Sequence, residues 1–186
     1  MTPKPRKCKV CRTEFTPRLP MATCCGSLCA LSLARSKRAR AAKVAQVKER
    51  RADKIKKESQ KTRSEWLKEA QTSFNAWVRA RDEDLACISC GRHHTGQYQA
   101  GHYLSVGARP EMRYVENNCH KQCAPCNNHL SGNIVLYRPA LIEKIGLAAV
   151  EELEGPHEKR KYTVDDLKAI KTHYAAETKT LKARQE

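Results

Sequence analysis

Eight of the ten cysteines in this 186-residue chain fall into four short-spaced pairs, and that spacing constrains the fold more than any other feature. Cys87-Ile-Ser-Cys90 and Cys123-Ala-Pro-Cys126 are C-x-x-C knuckles separated by thirty-two residues. Each knuckle presents two thiolates, so one tetrahedral zinc accounts for both. Cys8-Lys-Val-Cys11 and Cys25-Gly-Ser-Leu-Cys29, thirteen residues apart, repeat the arrangement near the N-terminus. A redox C-x-x-C pair would need a surrounding βαβ pattern, which the sequence lacks. Cys24 competes with Cys25 as a ligand, since spacing alone does not say which neighbour points inward, and Cys119 reads as a small apolar residue. The expectation is structural Zn2+, two ions per chain.

Metal also answers a problem of composition. With 5% aromatic and 30% charged residues, the chain cannot bury one large core, and small modules need another source of stability. Lys and Arg number 36 against 20 Asp and Glu, a net charge of +16 that favours a polyanionic partner. Nucleic acid is the expected partner, and an anionic membrane surface is the weaker rival. No segment approaches the ~20 apolar residues of a membrane span, and MTPKPRKCKVC holds no apolar run of a signal sequence, so a cytoplasmic location is expected.

Four regions follow from composition: a Cys- and Pro-rich knuckle over 1–30, a basic helix over 31–63, a Cys-, His-, Asn- and Gly-rich module with its preceding helix over 64–133, and a helical region over 134–186. From Leu31 to Arg63 there is no Gly or Pro, and thirteen Lys or Arg between Arg35 and Arg63 face only Glu49, Asp53 and Glu58. Such an excess repels itself unless phosphates offset it, which makes Arg35, Lys37, Arg38, Arg40, Lys43, Arg50 and Arg51 candidate DNA contacts. Ser64 is the expected cap of a second helix, whose apolar stripe is Trp66, Ala70, Phe74, Trp77 and Val78. Residues 85–133 read as short strands and loops ending in a short helix. Two further helices are expected, Ala140–Leu153 and Val164–Lys182, with Thr163 capping the second.

Within the third region stand Ala100-Gly101-His102-Tyr103, then Asn118 five residues before Cys123, then Asn127 and His129 just after Cys126. This order resembles HNH nucleases of the ββα-metal fold. A closer resemblance, carried by the N-terminal cysteines, the basic helix, CISCG, AGHY, HKQC, CN-x-H-x-SGN and YR-x-x-LI-x-x-IG, is to the NinG/Rap family of lambdoid phages. It covers nearly the whole chain. The resemblance implies a structure-specific endonuclease acting on recombination intermediates, D-loops and Holliday-type junctions, in the cytoplasm of a bacterial host.

Phosphodiester hydrolysis needs an activated water, a divalent cation and a rigid frame. His102 is the expected general base, being largely neutral at cellular pH, and Asn118 the residue that orients it. Asn127, His129 and His120 are candidate ligands of a catalytic Mg2+ or Mn2+. Many HNH nucleases carry an Asp just before the catalytic His, where this chain has Gly101. Arg109 and Arg113, between His102 and Asn118, are candidate phosphate clamps. The expected architecture is α+β: an N-terminal zinc knuckle, a long basic helix, a zinc-supported ββα-metal module and C-terminal helices. Expected partners are branched DNA, a second copy of the chain and phage or host recombination proteins. The rival reading is a non-catalytic zinc-containing nucleic-acid-binding or adaptor protein.

Overall fold

The computed structural model describes residues 4–184. Two compact units divide the chain, one ending at Lys61 and the other beginning at Thr62. In the first, strands β1 (Arg6–Lys7) and β2 (Glu14–Phe15) pair antiparallel ahead of helix α1 (Ser27–Ser59). None of the 33 residues of α1 is buried. Its Ala, Lys, Arg and Gln content is what sustains it, since these residues lose little side-chain freedom in a helix.

The second unit opens with helix α2 (Arg63–Arg81). Thr62 caps it, not Ser64. The Thr62 hydroxyl accepts from the Glu65 N–H, and the Glu65 carboxylate accepts from the Thr62 N–H at 2.7 Å. This reciprocal box needs an acidic residue three positions on, and Ser64 is followed there by Leu67. The basic helix therefore ends at Ser59, four residues before the expected boundary at Arg63. Helix α5 (Val164–Ala183) starts as expected, through the same box between Thr163 and Asp166. Between them lie α3 (Ile134–Ile145) and α4 (Leu147–Glu154), where a single helix beginning at Ala140 was expected. Gly146 divides them with φ of 87°, a left-handed backbone that suits glycine, and Pro139 sits inside α3 without ending it.

The apolar stripe of α2 is buried as its spacing predicts. Trp66, Ala70, Phe74, Trp77 and Val78 form one core with Tyr114, Cys119, Tyr162, Leu167 and Tyr174. Phe74 is its centre, with the Tyr174 ring 4.9 Å away and the Tyr114 ring 5.6 Å away, both edge-on. A second cluster gathers Tyr103, Met112, Tyr137, Leu141, Val150 and Leu153. Strands β3 (Tyr98–His102) and β4 (Cys119–Cys123) pair antiparallel, with Gln99 opposite Gln122, Gly101 opposite His120 and His102 opposite Cys119. Side chains alternate along a strand, so Gln99, Gly101, His120 and Gln122 share one face, while His102 turns toward α2, its ring 6.2 Å from Phe74. A helical turn over Pro125–His129 follows β4 directly. The chain is thus α+β, helical with two small sheets among the described residues. Among those residues no helix is long and apolar enough to cross a membrane.

Candidate functional site

The cysteines converge as two separate sets. Cys8, Cys11, Cys25 and Cys29 form one, Cys87, Cys90, Cys123 and Cys126 the other, and within each set the sulfurs lie within 4.8 Å of one another. Tetrahedral zinc with Zn–S bonds of about 2.3 Å places its sulfurs roughly 3.8 Å apart. The Cys11–Cys25, Cys25–Cys29 and Cys90–Cys123 sulfurs are separated by 3.5, 3.7 and 3.9 Å. Cys25, not Cys24, joins the first set, and Cys119 lies apart in the apolar core.

Both sets repeat one turn. The Arg12 N–H donates to the Cys8 carbonyl and the Gly91 N–H to the Cys87 carbonyl, and both residues have φ of 65°. Backbone N–H groups also favour one thiolate in each set. Those of Val10, Cys11 and Cys25 bring the Cys8 thiol down to about 5 against the opposing effect of burial, while the neighbouring thiols Cys11, Cys29 and Cys8 push Cys25 up to about 12. Burial opposes ionisation of Cys87, yet the N–H groups of Cys123, Cys90 and Ser89 hold it below the ordinary thiol value. Burial and the adjacent sulfurs push Cys123 up to about 12. Four thiols at this spacing cannot all ionise alone. A divalent ion removes the conflict, and an all-sulfur set suits zinc.

The second set supports one end of the β3–β4 pair, and His102 ends β3 at the other. Its Nε2 lies 3.0 Å from the Arg113 carbonyl oxygen, an acceptor only, so Nε2 carries the proton and Nδ1 keeps the lone pair. Burial, with the Arg113 charge adding to it, lowers the His102 pKa from its ordinary value against the effect of that hydrogen bond.

Asn118 is fully buried and holds the frame around this histidine. Its Oδ1 accepts from the Leu104 N–H at 2.8 Å, and its Nδ2 donates to the carbonyls of Leu104 and Met112. One amide thus joins the segment leaving β3 to the turn that carries Arg113. Replacing it would leave several of these groups unpaired, each at about 1–3 kcal/mol.

Gly101 faces the Pro125–His129 turn. A Cβ there would lie 2.0 Å from Gln122 Oε1 and 3.0 Å from Asn127 Oδ1, so no side chain fits unless Gln122 moves. Two amide oxygens fill the space beside Gly101. The Gln122 Nε2 donates to Ser89 Oγ at 2.6 Å and to the Gly132 carbonyl at 2.5 Å. That carbonyl is delivered by three successive left-handed residues, Ser131, Gly132 and Asn133, with φ of 48°, 88° and 48°. The left-handed backbone costs roughly 1–2 kcal/mol at Ser131 and less at Asn133, since asparagine tolerates it.

The other expected residues divide. His120 is buried on the Gly101 face, with Nδ1 3.2 Å from the Tyr137 hydroxyl, which itself donates to the Gly101 carbonyl. Burial first, then the charges of Lys144 and Arg81, pushes the His120 pKa well below its ordinary value. His129 is exposed at the end of the helical turn, and no described contact joins it to Gly101 or His102. The Arg109 guanidinium is engaged with Glu111 at 2.6 Å and the Gly155 carbonyl at 2.7 Å, and Arg113 donates to Gln71 Oε1. Arg35, Lys37, Arg38, Arg40, Lys43, Arg50 and Arg51 all lie exposed on α1. The spacing arguments missed Gln122, Gln99, Ser89 and Tyr137. The two-residue alternation of β3 and β4 holds the signal for both glutamines.

The chain is similar to protein ninG of Salmonella phage P22, 50% identical over 105 residues, and to that of Escherichia phage lambda, 48% identical over the same length. Each match covers 56% of this chain and 52% of the relative, so the matched segment spans about half the length of these curated relatives. Similarity to protein ninG of Enterobacteria phage H19B runs further, 42% over 180 residues, 91% of this chain and 90% of that one. No solved structure matches. The sequence model of the bacteriophage lambda NinG protein matches residues 1–185, and the chain belongs to the NinG family.

Proposed function

We propose that the chain is a metal-dependent DNA endonuclease of the HNH, ββα-metal type, acting on branched recombination intermediates such as D-loops and Holliday-type junctions. The observation that carries this reading is the hydrogen bond that orients His102. Its Nε2 is committed to the Arg113 carbonyl at 3.0 Å, and in this reading Nδ1 takes a proton from an attacking water. The order of parts supports it too: two antiparallel strands, then a helical turn, over a four-cysteine cluster.

In this reading Asn118 holds the loop that positions His102, and Asn127 offers an oxygen to the ion. A bound Mg2+ or Mn2+ would stabilise charge on the phosphate and on the leaving oxygen. The exposed cations of α1 supply affinity for the phosphate backbone without reading sequence. Branch choice then rests on DNA shape, with two copies of the chain engaging a junction. Phage or host recombination proteins are the further partners of this reading.

Gly101, where an acidic ligand is usual, favours a second reading: a zinc-containing nucleic-acid-binding or adaptor protein without catalysis. Cleavage of linear, three-way and four-way DNA in Mg2+ or Mn2+ separates the two. The wild type is expected to cut a branched substrate, and His102→Ala to lose about 100-fold or more in rate while keeping DNA binding and zinc content. Undiminished cutting by His102→Ala removes the assigned base. A wild type that binds junctions and cuts none supports the second reading.

A further inference from the structure

The face of the β3–β4 pair that carries Gly101 holds an atom that the nuclease reading has not used. Gln122 is wholly buried, and its Oε1 is a buried side-chain oxygen with no hydrogen-bond partner. Buried polar atoms are nearly always paired, because an unpaired one loses its hydration without return. The orientation of this amide is fixed. Its Nε2 donates to Ser89 Oγ and the Gly132 carbonyl, and turning the group over would set one oxygen against another. The Asn127 Nδ2 donates to Gln99 Oε1 and Asn128 Oδ1, and its Oδ1 faces Gly101. Both amides thus turn their oxygens toward the position that a side chain at residue 101 would occupy, 2.0 and 3.0 Å from its Cβ.

We infer that Gln122 Oε1 and Asn127 Oδ1 together form a divalent-cation site that takes the place of the carboxylate missing at Gly101. Two neutral oxygens converging on one point are hard donors, suited to Mg2+ or Mn2+ and not to the thiophilic zinc of the cysteine clusters. Lacking a carboxylate, the pair holds its ion weakly and leaves coordination positions for water and a substrate phosphate. The side chain of Asn127 lies on the helical turn, while that of Gln122 is anchored to Ser89, between Cys87 and Cys90, and to Gly132 in the loop beyond the turn. The left-handed run at Ser131–Asn133 thereby acquires a purpose: it supplies the carbonyl that aims Gln122.

The inference rests on the nuclease reading for the purpose of the ion, but its test does not depend on cutting. Mn2+ alone is titrated into the zinc-loaded full chain and followed by electron paramagnetic resonance and calorimetry, with helix content and zinc content measured in parallel. The wild type should bind one Mn2+, and Gln122→Ala should weaken that binding at least tenfold or so, the range expected even for groups that only support a ligand. Gly101→Asp alone should disrupt the site by collision with Gln122. Gly101→Asp combined with Gln122→Ala should restore Mn2+ binding, because a carboxylate then enters the vacated space. Should Gln122→Ala lose zinc or helix, Asn127→Ala carries the test, being half-buried and outside the Ser89–Gly132 anchor. Equal Mn2+ affinity in a folded Gln122 or Asn127 variant, or no Mn2+ binding by the wild type, overturns the site. If the wild type binds Mn2+ through these residues and cuts nothing, the site stands and the nuclease reading falls.

Discussion

At the scale of single residues, the second unit turns on a few buried polar groups with defined partners. Asp82 is the clearest. It is 2% exposed, takes the Arg81 guanidinium at 2.8 Å, accepts from the Lys121 N–H at 3.0 Å and lies 3.3 Å from the Lys144 ammonium. Burial alone would raise its pKa, but Arg81, Lys121 and Lys144 outweigh it and bring the carboxyl down to about 2. A carboxyl that is more acidic folded than unfolded stabilises the fold fully above its unfolded pKa. That stability, about 2 kcal/mol at most, is lost as pH falls from about 4 to about 2. Asp82→Asn should cost about 2 kcal/mol or more at pH 7 and flatten the acid limb of stability between those pH values. Urea unfolding at stepped pH measures both, and an unchanged acid limb would show that other carboxylates carry it. Residues of this kind were only partly legible in the sequence. His102 and Asn118 stand out through their distance from the cysteines. Gln122, Ser89 and Gly132 meet only because β3 and β4 fix a register and a left-handed loop returns a carbonyl, and no local pattern announces that meeting.

At the scale of elements, the strongest periodicities read true. The apolar stripe of α2 and the Thr163 cap of α5 follow from spacing and local chemistry, which act within one or two turns. The Thr62 box was equally local, and Ser64 displaced it only because the charged run obscured where one helix gives way to the next. Gly146 divides α3 from α4 by backbone conformation, to which hydrophobic periodicity is blind. Helix α1 carries its own prediction. If its cations meet phosphates, replacing Arg50, Arg51 and Lys54 with Gln should reduce the slope of log affinity against log salt by about 2 to 3 for duplex DNA. Binding isotherms from 50 to 200 mM salt give that slope, and an unaltered value would move the phosphate contacts elsewhere.

At the scale of the whole molecule, two units each contain one four-cysteine set, and each unit supplies its own ligands. Metal analysis should find two zinc ions per chain. Cys126→Ser should reduce this to one and lower the melting temperature of the unit beginning at Thr62, leaving the N-terminal set loaded. Retention of two ions by that variant would contradict the grouping. The unit that starts at Thr62 also has two apolar clusters besides the one around its cysteines, whereas α1 contributes to none of them. Beyond its first turn, where Cys29 ties it to the cysteine set, α1 has no buried residue and follows the helix–coil equilibrium of a free peptide, fraying at its far end. Its like charges push that equilibrium toward coil, and a neighbouring polyanion pulls it back. For α1, folding and binding are therefore two views of a single equilibrium, and the length of ordered helix varies with whatever lies alongside it.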